Sequence, residues 1–257
     1  MSIGLIGHTV IDTIVGPDGA ETQRLGGTPL YARRALQAAG ADCVVVTRGA
    51  DPGDAVVVPG GPAYESRLDH RAGTRQVLAR IGLPFTPDEV REHALPALRG
   101  CTWLHLGAQS AGEFPPETLA VLAAAGHRLC LDGQGPARGP DPGPVRLRPF
   151  PPSAIAGVSI LKLNRLEAEA ATGGRPAGEA LLRLGAPEVV VTMGADGVVV
   201  ATPQGVCEVA GTGAGRYADP TGAGDSFTAA YVLARSRGAG PADAAGEAQR
   251  ATDLLYL

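Results

Sequence analysis

Short apolar runs alternate with helix-patterned segments along most of this chain. Ser2–Gly7, Asp42–Thr47, Trp103–Leu106, Arg128–Asp132, Val158–Leu163 and Glu188–Thr192 read as strands. Helical patterns follow several of them, at about Pro29–Ala39, Pro115–Ala125, Arg165–Thr172 and Ala177–Leu184. Strands joined through helices require right-handed crossovers, so the sequence predicts an α/β fold with a mainly parallel sheet covered on both faces. Val198–Ala201 and Gly205–Val209, joined by Thr202-Pro203-Gln204, predict a hairpin appended to that sheet. Two long helices, about Ala223–Arg237 and Pro241–Leu255, close the chain. At 257 residues and without an internal repeat, this is one domain, 1–257.

Three segments break the rhythm. Residues 13–25 and 52–75 are rich in Gly, Pro and charge, yet hold β-prone pieces such as Ala55–Val58. They are expected to form a small flap, or lid, beside the sheet. Pro136–Pro152 is expected to be a surface loop.

Composition removes several functional classes. A 44% hydrophobic and 19% charged chain is globular rather than disordered. The net charge is −4, with no basic stripe, so neither nucleic acid nor an anionic membrane is expected as partner. No apolar stretch approaches the roughly 18 residues of a membrane span. Met1–Val15 lacks a basic leader and carries His8 and Asp12, which reads as a buried strand in a cytoplasmic protein. Cys43, Cys101, Cys130 and Cys207 are scattered, as expected of free thiols in a reducing compartment, and the histidines show no metal-ligand spacing.

One stretch carries chemistry: Asp219-Pro220-Thr221-Gly222-Ala223-Gly224-Asp225-Ser226-Phe227. Its glycines permit a tight turn with uncovered amides, and the helix that follows places those amides at a helix N-terminus, suited to an anion. A carboxylate in the same turn would repel a merely bound phosphate. It makes sense if Asp225 takes a proton from an attacking alcohol while Gly222, Ala223 and Gly224 hold the transferred phosphoryl. A glycine-rich cap with an ordinary first-turn acid is the plainer alternative. There is no Gly-x-x-x-x-Gly-Lys-Ser/Thr, and the only lysine is Lys162. Phosphate handling is therefore expected to fall to amides, Mg²⁺ and an arginine.

Asp219–Phe227 resembles the C-terminal signature of the ribokinase-like (PfkB) carbohydrate kinase family, and further segments match in order across nearly the whole chain. The resemblance implies a three-layer α/β/α sandwich with a small, reduced β lid, and ATP and Mg²⁺ as cofactors. Asn164 and Glu167 resemble the family's Asn-x-x-Glu motif, whose glutamate organises Mg²⁺. Thr192, Gly194 and Gly197 resemble the turn that borders its nucleotide site. Asp12, Gly26 and Gly27 stand where the family binds its acceptor and hinges its lid. The implied activity is phosphorylation of a hydroxyl on a small sugar or cyclitol. The Leu25-Gly26-Gly27, Leu131–Gly135 and Asp219-Pro220-Thr221 segments look closest to the myo-inositol kinase branch. The family also admits a homodimer through its lid strands.

Some positions depart from the pattern. Tyr31 replaces a frequent asparagine four residues after Gly27, which weakens a ribose-like or fructose-type assignment. The short lids leave room for a non-catalytic sensor on this scaffold, and a pyridoxal-type kinase shares the fold but often carries a cysteine in the phosphate turn. Asp132 stands at a strand end, where either ligand contact or helix capping is expected. Arg138 could approach the phosphates but is expected to be a solvated loop arginine, His105 is expected to be a satisfied core histidine, and Trp103 and Tyr217 could stack on a ligand but are expected to be packing residues.

Overall fold

The computed structural model describes residues 2–69, 71, 75–176, 178–213, 217 and 219–257. Residues 70 and 72–74 of the second expected lid segment, Met1 and Ala177 lie outside the described residues.

Fourteen strands form two sheets among the described residues. In chain order they are β1 (Ile3–His8), β2 (Val10–Val15), β3 (Glu21–Gly26), β4 (Cys43–Arg48), β5 (Val56–Val57), β6 (Tyr64–Asp69) and β7 (Arg75–Arg80). There follow β8 (Trp103–Gly107), β9 (Arg128–Asp132), β10 (Gly143–Pro144), β11 (Ile160–Asn164), β12 (Glu188–Thr192), β13 (Gly197–Thr202) and β14 (Gly205–Ala210). The main sheet runs β14-β13-β12-β11-β9-β8-β1-β4-β5. It is parallel from β12 through β5, and the β13–β14 hairpin is added antiparallel at one edge.

Both faces of the sheet are covered, and side-chain alternation along each strand sorts residues between them. Leu104, Leu106, Leu129, Leu131, Leu161 and Leu163 face a core shared with Leu98, Leu119 and Leu181. Trp103, Cys130 and Ile160 face the opposite core, packed by the helices Thr28–Ala38, Ala223–Ser236 and Pro241–Tyr256. His105, Asp132 and Lys162 share this second face by the same two-residue period.

The lid is larger than the sequence suggested. It is a five-stranded sheet ordered β10-β7-β6-β2-β3, entered through the single residue Thr9 between β1 and β2. Two details correct the expectations. The β-prone Ala55–Val58 stretch belongs to the main sheet, where β5 pairs with β4. Pro136–Pro152 is not simply a surface loop, because β10 closes the lid's edge against β7.

The segment 87–98 was not read as helical, yet it forms Pro87–Glu89, a π-turn Val90–Ala94 and Leu95–Leu98 in sequence. Its two prolines look like breakers. Pro87 instead fills the first helical turn behind a Thr86–Glu89 capping box, and the π-turn lies directly before the Pro96 turn.

Arg48, 1% exposed, ties the end of β4 to the segments flanking the lid. Its guanidinium donates to the carbonyls of Pro59 (2.7 Å), Gly60 (2.9 Å) and Pro84 (3.3 Å), and to Glu89 at 2.7 Å. Arg48→Ala removes a buried cation and strands those acceptors. We expect it to cost about 3 kcal/mol in urea unfolding; a loss under about 1 kcal/mol would show that the anchor is dispensable.

Candidate active site

The parallel strands β9 and β11 end beside the N-terminus of the Ala223–Ser236 helix, the place where open α/β sheets bind ligands. The helix begins at Gly222, in the left-handed region with φ 83°. A Cβ there would fall 2.2 Å from Tyr31 Cγ, so the aromatic ring seats directly against this glycine. The preceding Asp219 holds the turn, accepting from the Thr221 amide at 3.0 Å and pairing with lid residue Arg24 at 2.7 Å.

The turn's donors differ from the expected set. The Ala223 amide donates to Pro220 O at 3.0 Å, so it is spent within the turn. The Gly224 and Asp225 amides precede the first helical donor, Ser226, which bonds Gly222 O at 2.9 Å. They have no backbone acceptor among the described residues and, with Gly222, are the amides free to face an anion.

Asp225 accepts a short hydrogen bond from Thr28 Oγ1, on the first turn of a different helix. Burial pushes its carboxyl up to about 7, and the charge of Asp132 adds to that; the Thr28 bond, Lys162 and Arg138 pull the other way. A carboxylate so placed is ionised near neutrality yet still basic enough to accept a proton. Asp132 stands opposite Lys162 in the β9–β11 register, with Oδ1 3.5 Å from Nζ. It caps no helix: Gly133 occupies the cap position of the Gln134–Ala137 turn.

Glu167 and Asn164 form a capping box, each accepting from the other's backbone amide, at 2.8 and 2.9 Å. Glu167 is 2% exposed, and burial raises its pKa from the ordinary value against the pull of Lys162. Arg138 is the largest correction. It is buried at 7% exposure rather than solvated, donating to Gln76 Oε1 at 3.0 Å and Gln109 O at 3.4 Å.

Two cavities meet here. One, of about 780 Å³, is lined by Asn164, Thr192, Gly194 and Gly197, by Lys162, Asp132, Phe227 and Tyr217, and by the turn itself. The other, of about 860 Å³, lies toward the lid, lined by Asp12, Gly27, Tyr31, Arg138 and the amide side chains of Gln76, Gln109 and Gln134. Gln134, Asn164, Pro220, Gly222 and Asp225 line both. Asp12 is 6% exposed, and burial pushes its carboxyl up to about 6. Gly26 lines neither cavity; a Cβ there would meet Asp12 Oδ2 at 2.2 Å, so its smallness makes room for that carboxylate. Gly27, with φ 95°, caps the Thr28–Ala38 helix.

The structure thus brings Asp12 and Gly27 to one hollow, Thr192, Gly194 and Gly197 to the other, and Asn164, Gly222 and Asp225 to both. The sequence reading does not single out Thr28, Lys162 or the three glutamines. Lys162 and Asp132 were accessible through strand alternation, whereas Thr28 and the glutamines required knowing how elements distant in sequence pack together. His105 is core as expected but not satisfied, since neither ring nitrogen has a partner among the described residues, and burial pushes it down to about 4. Trp103 packs under Arg128 as expected, while Tyr217 joins the wall of the hollow bordered by Thr192, Gly194 and Gly197. All four cysteines are free. No helix among the described residues is long and apolar enough to cross a membrane.

Comparison with known proteins adds the family. No curated protein matches the chain at a significant level. Over 99% of the chain, the fold matches a pyrophosphate-dependent kinase in the ribokinase family complexed with a pyrophosphate analogue and myo-inositol, at TM-score 0.82 and 22% identity over 94% of that chain. It also matches Arabidopsis thaliana ribokinase complexed with ribose and ATP, at TM-score 0.73 and 17% identity, over 99% of this chain and 92% of that one. A fructokinase double mutant from Vibrio cholerae O395, bound to fructose, ADP and potassium, gives TM-score 0.74 and 20% identity over 99% of this chain and 92% of that one. The model of the pfkB family carbohydrate kinases matches residues 90–254. With that match spanning well over half its length and including the glycine turn, the chain belongs to the pfkB family of carbohydrate kinases.

Proposed function

We propose that this chain transfers the terminal phosphoryl group of ATP to a hydroxyl of a small neutral polyol, with a cyclitol such as myo-inositol favoured. The observation that carries this is the position of Asp225, a part-buried carboxylate at the junction of two hollows. A donor in one and an acceptor in the other would meet at its oxygens. The hollow bordered by Thr192, Gly194 and Gly197 suits a nucleotide, with glycines permitting close approach and Phe227 and Val198 supplying an apolar wall.

In this scheme Asp225 accepts the proton of the attacking hydroxyl, and the Gly222, Gly224 and Asp225 amides hold the oxygens of the moving phosphoryl. Asp12 accepts hydrogen bonds from acceptor hydroxyls, and its carboxylate would repel an acceptor that already carries phosphate. Arg24, reaching from the lid to Asp219, ties the lid to the glycine turn beside the acceptor hollow.

The family's Mg²⁺ fits the donor set: Asp132, Glu167 and Asp225 outnumber Lys162 and Arg138, and all three offer hard oxygens. Glu167 would hold it through water, since one of its oxygens is engaged in the cap. When bound, Mg²⁺ neutralises charge on the donor phosphates.

Pyrophosphate is the second donor considered. Two buried cations beside the turn favour it, because they could hold a bare diphosphate without a nucleoside. The fold likeness to a pyrophosphate-dependent kinase is consistent with this. Lid strands pairing between two copies would make a homodimer.

Incubating the protein with ATP, ADP or pyrophosphate and a panel of myo-inositol, ribose, fructose and inosine, and following phosphorylated product by mass spectrometry, tests the scheme. ATP with myo-inositol should give the highest kcat/KM; turnover confined to pyrophosphate would replace the donor, and no product from any pair would sink the proposal. Asp225→Asn should lower kcat by at least about 10²-fold while leaving donor affinity nearly intact. Protonation of Asp225 abolishes the base, so kcat/KM should rise about tenfold per pH unit up to about pH 7 and level above it. A profile flat from pH 5 to 8 would remove Asp225 from the proton transfer.

A further inference from the structure

The chain has 22 Lys and Arg residues, of which Lys162 is the one lysine. Strand alternation on β11 sends it, with Ile160, to the sheet face covered by the Ala223–Ser236 helix. That helix starts at the glycine turn. A Cβ on Gly224 would come 2.9 Å from Lys162 Nζ, so the ammonium lies against the turn's second glycine. The side chain is 7% exposed and lines the donor hollow.

The ammonium is loosely held. Its ion pair with Asp132 spans 3.5 Å, longer than the roughly 2.7–2.9 Å of a charge-assisted hydrogen bond. Asp132 Oδ1 has no hydrogen-bond partner among the described residues, and the neutral His105 behind it offers none. A lysine needed only to neutralise Asp132 would close on it tightly. This one keeps donors free beside the place an anion enters. An arginine, used at all the other Lys and Arg positions, carries a broad planar head in place of this compact, rotatable ammonium.

We propose that Lys162 is a catalytic residue of the phosphoryl transfer, its ammonium turning from Asp132 to the oxygens of the migrating group, with Asp132 as the residue that positions it. The inference rests on the kinase function proposed above. In the step, the acceptor oxygen forms a bond to the donor's terminal phosphorus and passes its proton to Asp225. The bond from that phosphorus to the bridging oxygen breaks, and its electron pair leaves with ADP. Lys162 stays protonated throughout and carries charge that peaks while the phosphoryl is between its two partners.

The test compares Lys162→Met, Asp132→Asn and the double variant with the wild type, using ATP and whichever panel polyol the wild type phosphorylates. Lys162→Met should lower kcat at least about 10²-fold. Its affinity for the non-hydrolysable analogue AMP-PNP, read by calorimetry, should change less than about tenfold, the split of a group that acts in the transition state. Because Lys162→Met alone leaves a buried carboxylate unpaired, the double variant removes the pair together and guards against misfolding. It should melt near the wild-type temperature and remain as slow as Lys162→Met. A double variant that regains wild-type turnover, or a Lys162→Met kcat within threefold of wild type, overturns the inference alone. A wild type that phosphorylates no polyol overturns the kinase proposal, and this inference with it.

Discussion

Holding Asp225 beside a second carboxylate is the constraint on which the site depends. Asp132 on β9 and Asp225 on the Ala223–Ser236 helix stand on neighbouring elements, and the charge of Asp132 raises the pKa of Asp225. The fold compensates from three directions. Thr28 donates from one helix, Lys162 comes from the adjacent strand, and Arg138 reaches in from the segment after β9. The result is a carboxyl held near neutrality rather than silenced by burial. Each compensating group comes from a different element, so the chemistry exists only when sheet, helices and lid-side segment are assembled.

The lid shares that dependence. Asp219 is both the brace of the glycine turn, through the Thr221 amide, and the partner of Arg24 on β3. Lid position and turn shape are thereby linked through one carboxylate. This exposed pair adds little stability by itself. Its consequence is geometric, because it ties β3 to the glycine turn. Arg48 does the corresponding structural work at the other end, fixing the carbonyls of Pro59, Gly60 and Pro84.

Much of the fold was legible because strand and helix periods are local properties. The β-runs ending at Asp132 and Thr192 were placed to the residue, and the helix Arg165–Thr172 likewise. What escaped depended on partners distant in sequence. β10 is two residues long and exists only because β7 offers it an edge. The segment 87–98 hid behind prolines that occupy the first turns of helical pieces instead of breaking them. Arg138 looked solvated because its loop is full of Gly and Pro, and nothing local reveals that Gln76 on β7 and the Gln109 carbonyl enclose it. The Ala223 amide was counted as a phosphate donor because the turn's internal bond to Pro220 O cannot be read from glycine spacing.

The two-residue period of a strand carries more functional information here than any single motif. Once β8, β9 and β11 are known to be neighbours, His105, Asp132 and Lys162 must project from the same face. On that face Trp103, Cys130 and Ile160 are apolar, and the polar His105, Asp132 and Lys162 follow each of them two residues later. Polar groups that follow apolar ones on one face, opposite a helix that opens with a glycine turn, describe a charged pocket beside helix amides. A one-residue slip of β11 would send Lys162 into the leucine-rich opposite core and leave Asp132 facing Leu161 or Leu163. Register, fixed by the apolar residues, is thus what delivers the chain's one ammonium to the mouth of the site.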